Sequence, residues 1–316
     1  MQRLDDPFWP VPQPLGEGHI DTGDGHQIYW VELGNPQGVP MILCHGGPGG
    51  AMMLGSSRFS DRGLTRAIHF DQRGCGKSTP RGGLEANSLQ HTVADMERIR
   101  EHLGIEKWIV SGGSWGSTVA LAYAQAHPDR CLGLFLVGTW LCRKADTQWW
   151  FQGVRALFPE LWESFASLVP PEERGDLRTA YCRRILGGAA DEAARFASSL
   201  YLYEEGFMHF DAPLQPADPQ RGIDYGRIFA HYEAHDFFLD DDQLIRNADR
   251  IAHLPIHMIT GRYDCCTTPA NAFDLKAALP GATIEIVPGA GHYPTEPTFA
   301  YAVARAAQAF TKSLVQ

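Results

Sequence analysis

Gly112-Gly113-Ser114-Trp115-Gly116 separates a short apolar run, Trp108-Ile109-Val110-Ser111, from a small-residue stretch, Ser117 to His127, that stops at Pro128. The run reads as a buried strand and the stretch as a helix. A serine in the sharp turn between them has a strained backbone, and glycine two positions away on each side lets strand and helix approach closely. Such a turn exposes the Ser114 hydroxyl. It also places the Trp115 N–H at a helix N-terminus, where negative charge developing on an oxygen is stabilised. Glycine-flanked serine alone is a weak signal; its strand and helix make it a strong one, and they require a sheet with crossover helices.

The flanking sequence supplies that sheet. Strand-like segments at Ile28–Leu33, Pro40–Cys44, Ala67–Phe70, Trp108–Ser111 and Leu132–Val137 alternate with helical ones. Among the latter, Ser88–Leu103 places Leu89, Val93, Met96, Ile99 and Leu103 at helical spacing. The rhythm then lapses. From Leu141 to Arg250 no clear strand is visible, and Trp149, Trp150, Phe151, Trp162, Tyr201, Tyr203 and Tyr232 punctuate short helical pieces. It resumes with strands Ile256–Thr260 and Thr283–Val287, a helix Asn271–Leu279 between them, and a terminal helix from about Thr298. We therefore expect a mostly parallel α/β sheet with helices on both faces, built from residues 1–140 and 251–316 and interrupted by a helical cap, 141–250.

Bulk properties exclude several classes of function. A net charge of −10 without a Lys/Arg run disfavours nucleic acid and anionic membranes as partners. Met1 to Pro7 has no signal-like apolar core, and no window reaches membrane-spanning length. Seven cysteines, an odd number without framework spacing, fit a reducing compartment, so the expected location is cytoplasmic. Cysteine and histidine spacings match no zinc pattern. Gly74-Cys75-Gly76-Lys77-Ser78 resembles the end of a phosphate loop, but Asp71 stands where its first glycine belongs. Neither metal nor cofactor is called for.

A serine nucleophile needs a base, and the base needs an orienting carboxylate. With 13 histidines and 37 acidic residues, identity alone selects nothing. Position does. Asp264, in Gly261-Arg262-Tyr263-Asp264, and His292, in Gly289-Ala290-Gly291-His292, each follow a strand of the resumed sheet, in the order Ser, Asp, His. Asp274 is the fallback acid, inside a helix. A second oxyanion donor is expected from His45-Gly46-Gly47-Pro48-Gly49-Gly50, after the Pro40–Cys44 strand, through the N–H of Gly46 or Gly47.

That glycine loop, Asp71-Gln72-Arg73-Gly74-Cys75-Gly76-Lys77-Ser78, the segment around Ser114 and Gly261-Arg262-Tyr263-Asp264 together resemble the signature segments of proline iminopeptidases. The likeness spans nearly the whole chain. It implies an α/β-hydrolase fold with an inserted helical cap, and a serine aminopeptidase releasing N-terminal proline through an acyl-enzyme. It also implies cap glutamates that bind the substrate's free amino group. One follows an aromatic residue, which here gives Tyr203 followed by Glu204 or, shifted by one, Glu205. At the other position, in Arg227-Ile228-Phe229-Ala230-His231-Tyr232-Glu233, phenylalanine replaces the glutamate. Glu233 lies four residues on, on the same helix face, as a candidate substitute. A pocket with one carboxylate and an added ring binds ammonium less strongly and apolar groups better.

The expected substrate is therefore a small peptide or amide with an N-terminal proline or another small residue. An esterase, amidase or acyltransferase for a more apolar acyl group would use the same three residues. A receptor on a hydrolase scaffold would have no chemical need for all of them. An aspartate-nucleophile enzyme does not fit serine at 114. Oligomeric state is not legible.

Overall fold

The computed structural model describes residues 11–209, 218–293 and 296–315. Met1 to Pro7, the segment scanned for a leader, lies outside them. Eight strands form one sheet: β1 (Gly16–Asp21), β2 (Gln27–Gly34), β3 (Val39–Cys44), β4 (Thr65–Phe70), β5 (Trp108–Ser114), β6 (Cys131–Thr139), β7 (Ile256–Gly261) and β8 (Thr283–Val287). Their order is β1-β2-β4-β3-β5-β6-β7-β8. From β4 onward the neighbours are parallel; β1 and β2 form an antiparallel flap at one edge. The chain belongs to the α/β class.

Parallel strands need crossover connections, and these cover the two faces unequally. Helices α1 (Leu89–His102) and α2 (Trp115–Ala126) pack with Val110, Leu134 and Leu136 on one face. Alternation turns Phe135 and Val137 to the opposite face. The β3–β4 crossover there contains only a 3₁₀ turn, Leu54–Phe59, among the described residues.

Between β6 and β7 the chain forms α3 (Lys144–Gln148), α4 (Pro159–Ser167), α5 (Leu177–Gly187), α6 (Ala190–Met208), α7 (Pro219–Ala234) and α8 (Gln243–Arg246), with no strand among the described residues. Two helices follow: α9 (Pro269–Ala278), between β7 and β8, and α10 (Pro297–Ser313), which closes the Phe135 face through Phe299 and Val303. Inside the inserted block Trp150 touches Phe151, Phe165, Tyr203, Phe207 and Phe229, with ring centroids 4.6 to 6.1 Å apart. This aromatic core explains the block's high Trp, Tyr and Phe content. No described helix is long and apolar enough to cross a membrane.

Candidate active site

Ser114 ends β5 and caps α2 with φ 56° and ψ −128°. This is the left-handed half of backbone space, which a non-glycine residue enters only under strain. Its neighbours show why the turn needs glycine. A Cβ on Gly112 would overlap the Gly116 carbonyl, and one on Gly116 would overlap the Cys44 carbonyl. The helix starts at Trp115, two residues earlier than expected, so its first N–H groups face the serine rather than continuing the ladder.

Asp264 and His292, 28 residues apart, meet at the ends of β7 and β8. His292 Nδ1 lies 2.8 Å from Asp264 Oδ2. The same oxygen accepts from Thr267 Oγ1 at 3.0 Å, while Oδ1 accepts the N–H groups of Cys266 and Thr267 at 2.9 and 2.8 Å. Both residues are buried. Burial alone would lower the His292 pKa, but the Asp264 carboxylate and the Cys266 thiol beside it raise it well above 6.5. Gly138, at the end of β6, leaves room for the pair. A Cβ there would stand 2.9 Å from Thr267 Oγ1, 3.2 Å from Asp264 Oδ2 and 3.5 Å from His292 Cε1. Asp274, the fallback acid, is half-exposed and bridged to Arg143 at 2.8 Å, away from this pair.

The glycine loop and the Asp71–Ser78 segment brace each other. Gln72 N–H donates to His45 Nε2 at 3.0 Å, which leaves His45 Nδ1–H to donate to the Gly46 carbonyl at 2.8 Å. Burial lowers the His45 pKa and keeps the ring neutral in that tautomer. The Gln72 side chain donates to the His45 carbonyl at 2.9 Å and accepts from Trp115 Nε1 at 2.8 Å. Gln72 thus ties the loop carrying Gly46 and Gly47 to the helix start carrying Trp115. On either side, Asp71 accepts the Met52 and Lys77 N–H groups, both at 2.8 Å, and buried Arg73 grips Asp95 through two nitrogens at 2.6 and 2.8 Å.

One cavity of about 220 Å³ is lined by Gly46, Gly47, Ser114 and His292, and from the inserted helices by Glu204 and Glu205. Glu204 is buried, accepts from Tyr225 Oη, and has its pKa raised to about 7. Burial is the largest cause; Glu205 adds to it, and Tyr225 and His292 oppose it. Glu205 is partly exposed at the mouth, 3.5 Å from His209. Both candidates from the Tyr203-Glu204-Glu205 segment therefore reach the cavity.

Three other candidates do not line it. Glu233 is fully buried on α7, but α5 brings Arg178 Nε to 2.8 Å from its carboxylate. Phe229 packs on Trp150 one turn beyond Tyr225, which with Arg221 is what α7 contributes to the cavity lining. Tyr203 stacks on Phe165 at 4.2 Å and donates to the Trp150 carbonyl. Helical spacing groups Phe229 and Glu233 on one side of α7, but which turn meets the cavity depends on α5 and Trp150. Sequence reading missed Tyr225, Tyr201, Arg221 and Tyr293, all lining residues, and Thr267 on Asp264. Thr267 carried a signal, because Asp-x-x-Thr after a strand is a turn in which the aspartate accepts downstream N–H groups. Tyr225 also abuts the glycine loop: a Cβ on Gly49 would meet its carbonyl oxygen at 2.6 Å.

The family model for the alpha/beta hydrolase fold matches residues 39–296. The proline iminopeptidase of Xylella fastidiosa (strain Temecula1) is 40% identical over 298 residues, covering 92% of this chain and 95% of the relative. That of Xanthomonas citri is 39% identical over 96% of this chain and 99% of its own. The chain belongs to the proline iminopeptidase family. The family extends to plants, with the Arabidopsis thaliana proline iminopeptidase 39% identical over 90% of this chain and 77% of its own. Among solved structures, the proline iminopeptidase of Mycobacterium smegmatis superposes with TM-score 0.62 at 21% identity, over 95% of this chain and 98% of that one. An esterase from Rhodococcus gives 0.59 at 19%, over 96% and 100%. At such identities these two likenesses show the fold alone.

Proposed function

We propose that this family member is a serine aminopeptidase that removes N-terminal proline, or another small residue, from short peptides. The observation that carries the reading is the meeting of two carboxylates, Glu204 and Glu205, with Ser114 and His292 in one small cavity. An N-terminal ammonium loses its hydration on entry and needs anionic partners to offset that cost. Glu204, further in and almost without water, is the inner partner; Glu205 at the mouth is the outer one.

Ser114 Oγ attacks the carbonyl of the first residue while His292 takes its proton. Asp264, held by two N–H groups and Thr267, orients the imidazole and stabilises its charged form. The tetrahedral oxygen rests against the N–H of Trp115 and of Gly46 or Gly47. His292 then protonates the departing amine, the C–N bond breaks, and water releases the acyl group by the same steps in reverse. No metal or cofactor enters. A cytoplasmic location belongs to the same proposal, supported by seven free cysteines.

The test compares a prolyl arylamide with acetyl-capped prolyl arylamide in wild type and Ser114→Ala. Turnover of the free-amine substrate alone, lost in Ser114→Ala together with fluorophosphonate labelling, is the expected result. Equal turnover of both substrates would refute the role of the carboxylates, and labelling that survives Ser114→Ala would refute that of the serine.

A further inference from the structure

The cavity has a second arm, away from Glu204 and Glu205. Besides the arm towards the inserted helices, its lining runs past Ser114 to the opposite side of the sheet plane and includes Met41, Phe59, His69, Phe135, Val303 and Ala307. These residues come from β3, β4, β6, α10 and the Leu54–Phe59 turn. The arm follows from the uneven coverage of the sheet. A single 3₁₀ turn in the β3–β4 crossover leaves α10 to cover most of that face, and a slim space stays open beside β3 and β4.

The chemistry of this arm differs from that of the other. Among the described residues it holds no carboxylate, and the lining atoms are mostly hydrocarbon and thioether. Of seven methionines in the chain, four line the whole cavity, and three of them, Met41, Met52 and Met53, belong to β3 and the crossover that follows it. Unbranched thioether side chains adapt to a flexible apolar guest. Beside the hydroxyls of Ser56, Ser60 and Ser111, His69 is the polar side chain there. Burial lowers its pKa to about 4, so it is neutral, and its buried Nε2 has no hydrogen-bond partner among the described residues. A charged group would lose too much hydration here, whereas an apolar chain loses nothing.

We propose that this arm is an acyl-chain site, so that the same serine also hydrolyses esters of straight-chain carboxylic acids, with the chain lying between the sheet and α10. The inference rests on the role proposed above for Ser114 and His292. Ser114 Oγ bonds to the ester carbonyl carbon as His292 accepts its proton; the C–O bond to the alcohol breaks, and the alcohol leaves with that proton. Water then cleaves the acyl-serine, giving the carboxylic acid and free enzyme. No oxidant, metal or further reactant is required. The carboxylated arm disfavours the chain, whereas the second arm offers apolar volume contiguous with the reacting carbon.

The experiment measures kcat/KM on p-nitrophenyl acetate, butyrate, hexanoate and octanoate, and on ethyl and hexyl acetate. Transfer of one methylene from water into an apolar site is worth roughly a fourfold gain. The acyl series should climb by about that factor per methylene until the arm is full, while lengthening the alcohol gives no comparable rise. Val303→Trp should collapse the hexanoate-to-acetate ratio at least tenfold, and Met41→Ala should move the optimum to a longer chain. Because the two variants act in opposite directions, misfolding cannot mimic both. A flat acyl series, a gain confined to longer alcohols, or ratios unmoved by both variants overturns the acyl site while leaving prolyl arylamide turnover intact. Loss of turnover on every ester and on prolyl arylamide alike overturns the reading of Ser114 as well.

Discussion

Replacing Glu204 by glutamine should make the protein more stable and less active, and the stability gain should depend on pH in a defined way. In the folded state the Glu204 carboxyl has its pKa raised from an ordinary 4.5 to about 7. Below 4.5 the group is protonated whether the chain is folded or not, and folding costs nothing on its account. Between 4.5 and about 7 the unfolded chain releases the proton while the folded one keeps it, so stability falls as pH rises. Above 7 the loss is complete. The gap corresponds to about 3 kcal/mol. Glutamine has the same shape, can still accept from Tyr225 Oη, and never ionises. Urea unfolding of Glu204→Gln against wild type should therefore show a gain of about 1 kcal/mol at pH 5, growing to about 3 kcal/mol at pH 8. In the proposed reaction the same change removes the inner anionic partner of the substrate ammonium, an interaction worth about 2 to 3 kcal/mol. It should lower kcat/KM on prolyl arylamide about 30- to 160-fold. A variant whose stability difference from wild type is the same at both pH values would refute the argument from burial, and full activity on prolyl arylamide would refute the argument from charge.

Three further outcomes follow from the geometry. Gln72→Leu leaves Trp115 Nε1 without an acceptor and unties the two oxyanion arms. It should cost about 1 to 3 kcal/mol in unfolding free energy and lower kcat about tenfold, with KM changing less, as read from steady-state kinetics. Arg178→Met strands the buried Glu233 carboxylate, whose pKa burial already raises to about 7. Urea unfolding should register a loss of about 3 kcal/mol at pH 8, shrinking towards pH 5 as the group takes up a proton, and Arg178→Met with Glu233→Leu should recover most of it. Ser114→Gly removes the nucleophile and the strain of a left-handed serine together. Thermal denaturation should show a protein about 1 kcal/mol or more stabler than wild type, with hydrolysis abolished; a less stable variant would show that the turn is unstrained.

Features set by local sequence were legible. The strand, turn and helix around Ser114 are encoded within about twenty residues, and the glycines at 112 and 116 carry a steric requirement that reads off directly. β1 was missed for a physical reason. Gly16-Glu17-Gly18-His19-Ile20-Asp21 has a single strongly apolar residue, and it becomes a strand by pairing with β2. The inserted helices were legible as helices but not as a lining. Phe229 and Glu233 share a side of α7, as their spacing says, yet Arg178 from α5 and Trp150 decide that neither meets the cavity. Glu204 and Glu205 were equivalent in sequence. Burial separates them, placing one deep beside Tyr225 and the other at the mouth.

Tyr225 joins two parts of the molecule that are usually discussed separately. Its hydroxyl holds Glu204, and its main chain presses on Gly49, in the loop that carries Gly46 and Gly47, the oxyanion donors of the proposed reaction. In the proposed reaction, substrate choice and transition-state stabilisation thus share one hinge pin. For anyone seeking new specificities, α7 is accordingly the wrong helix to exchange as a passive lid. A graft that shifts residue 225 reaches the reacting carbonyl even when Ser114, His292 and Asp264 are untouched, whereas changes on α10 alter the room behind the serine without passing through that pin.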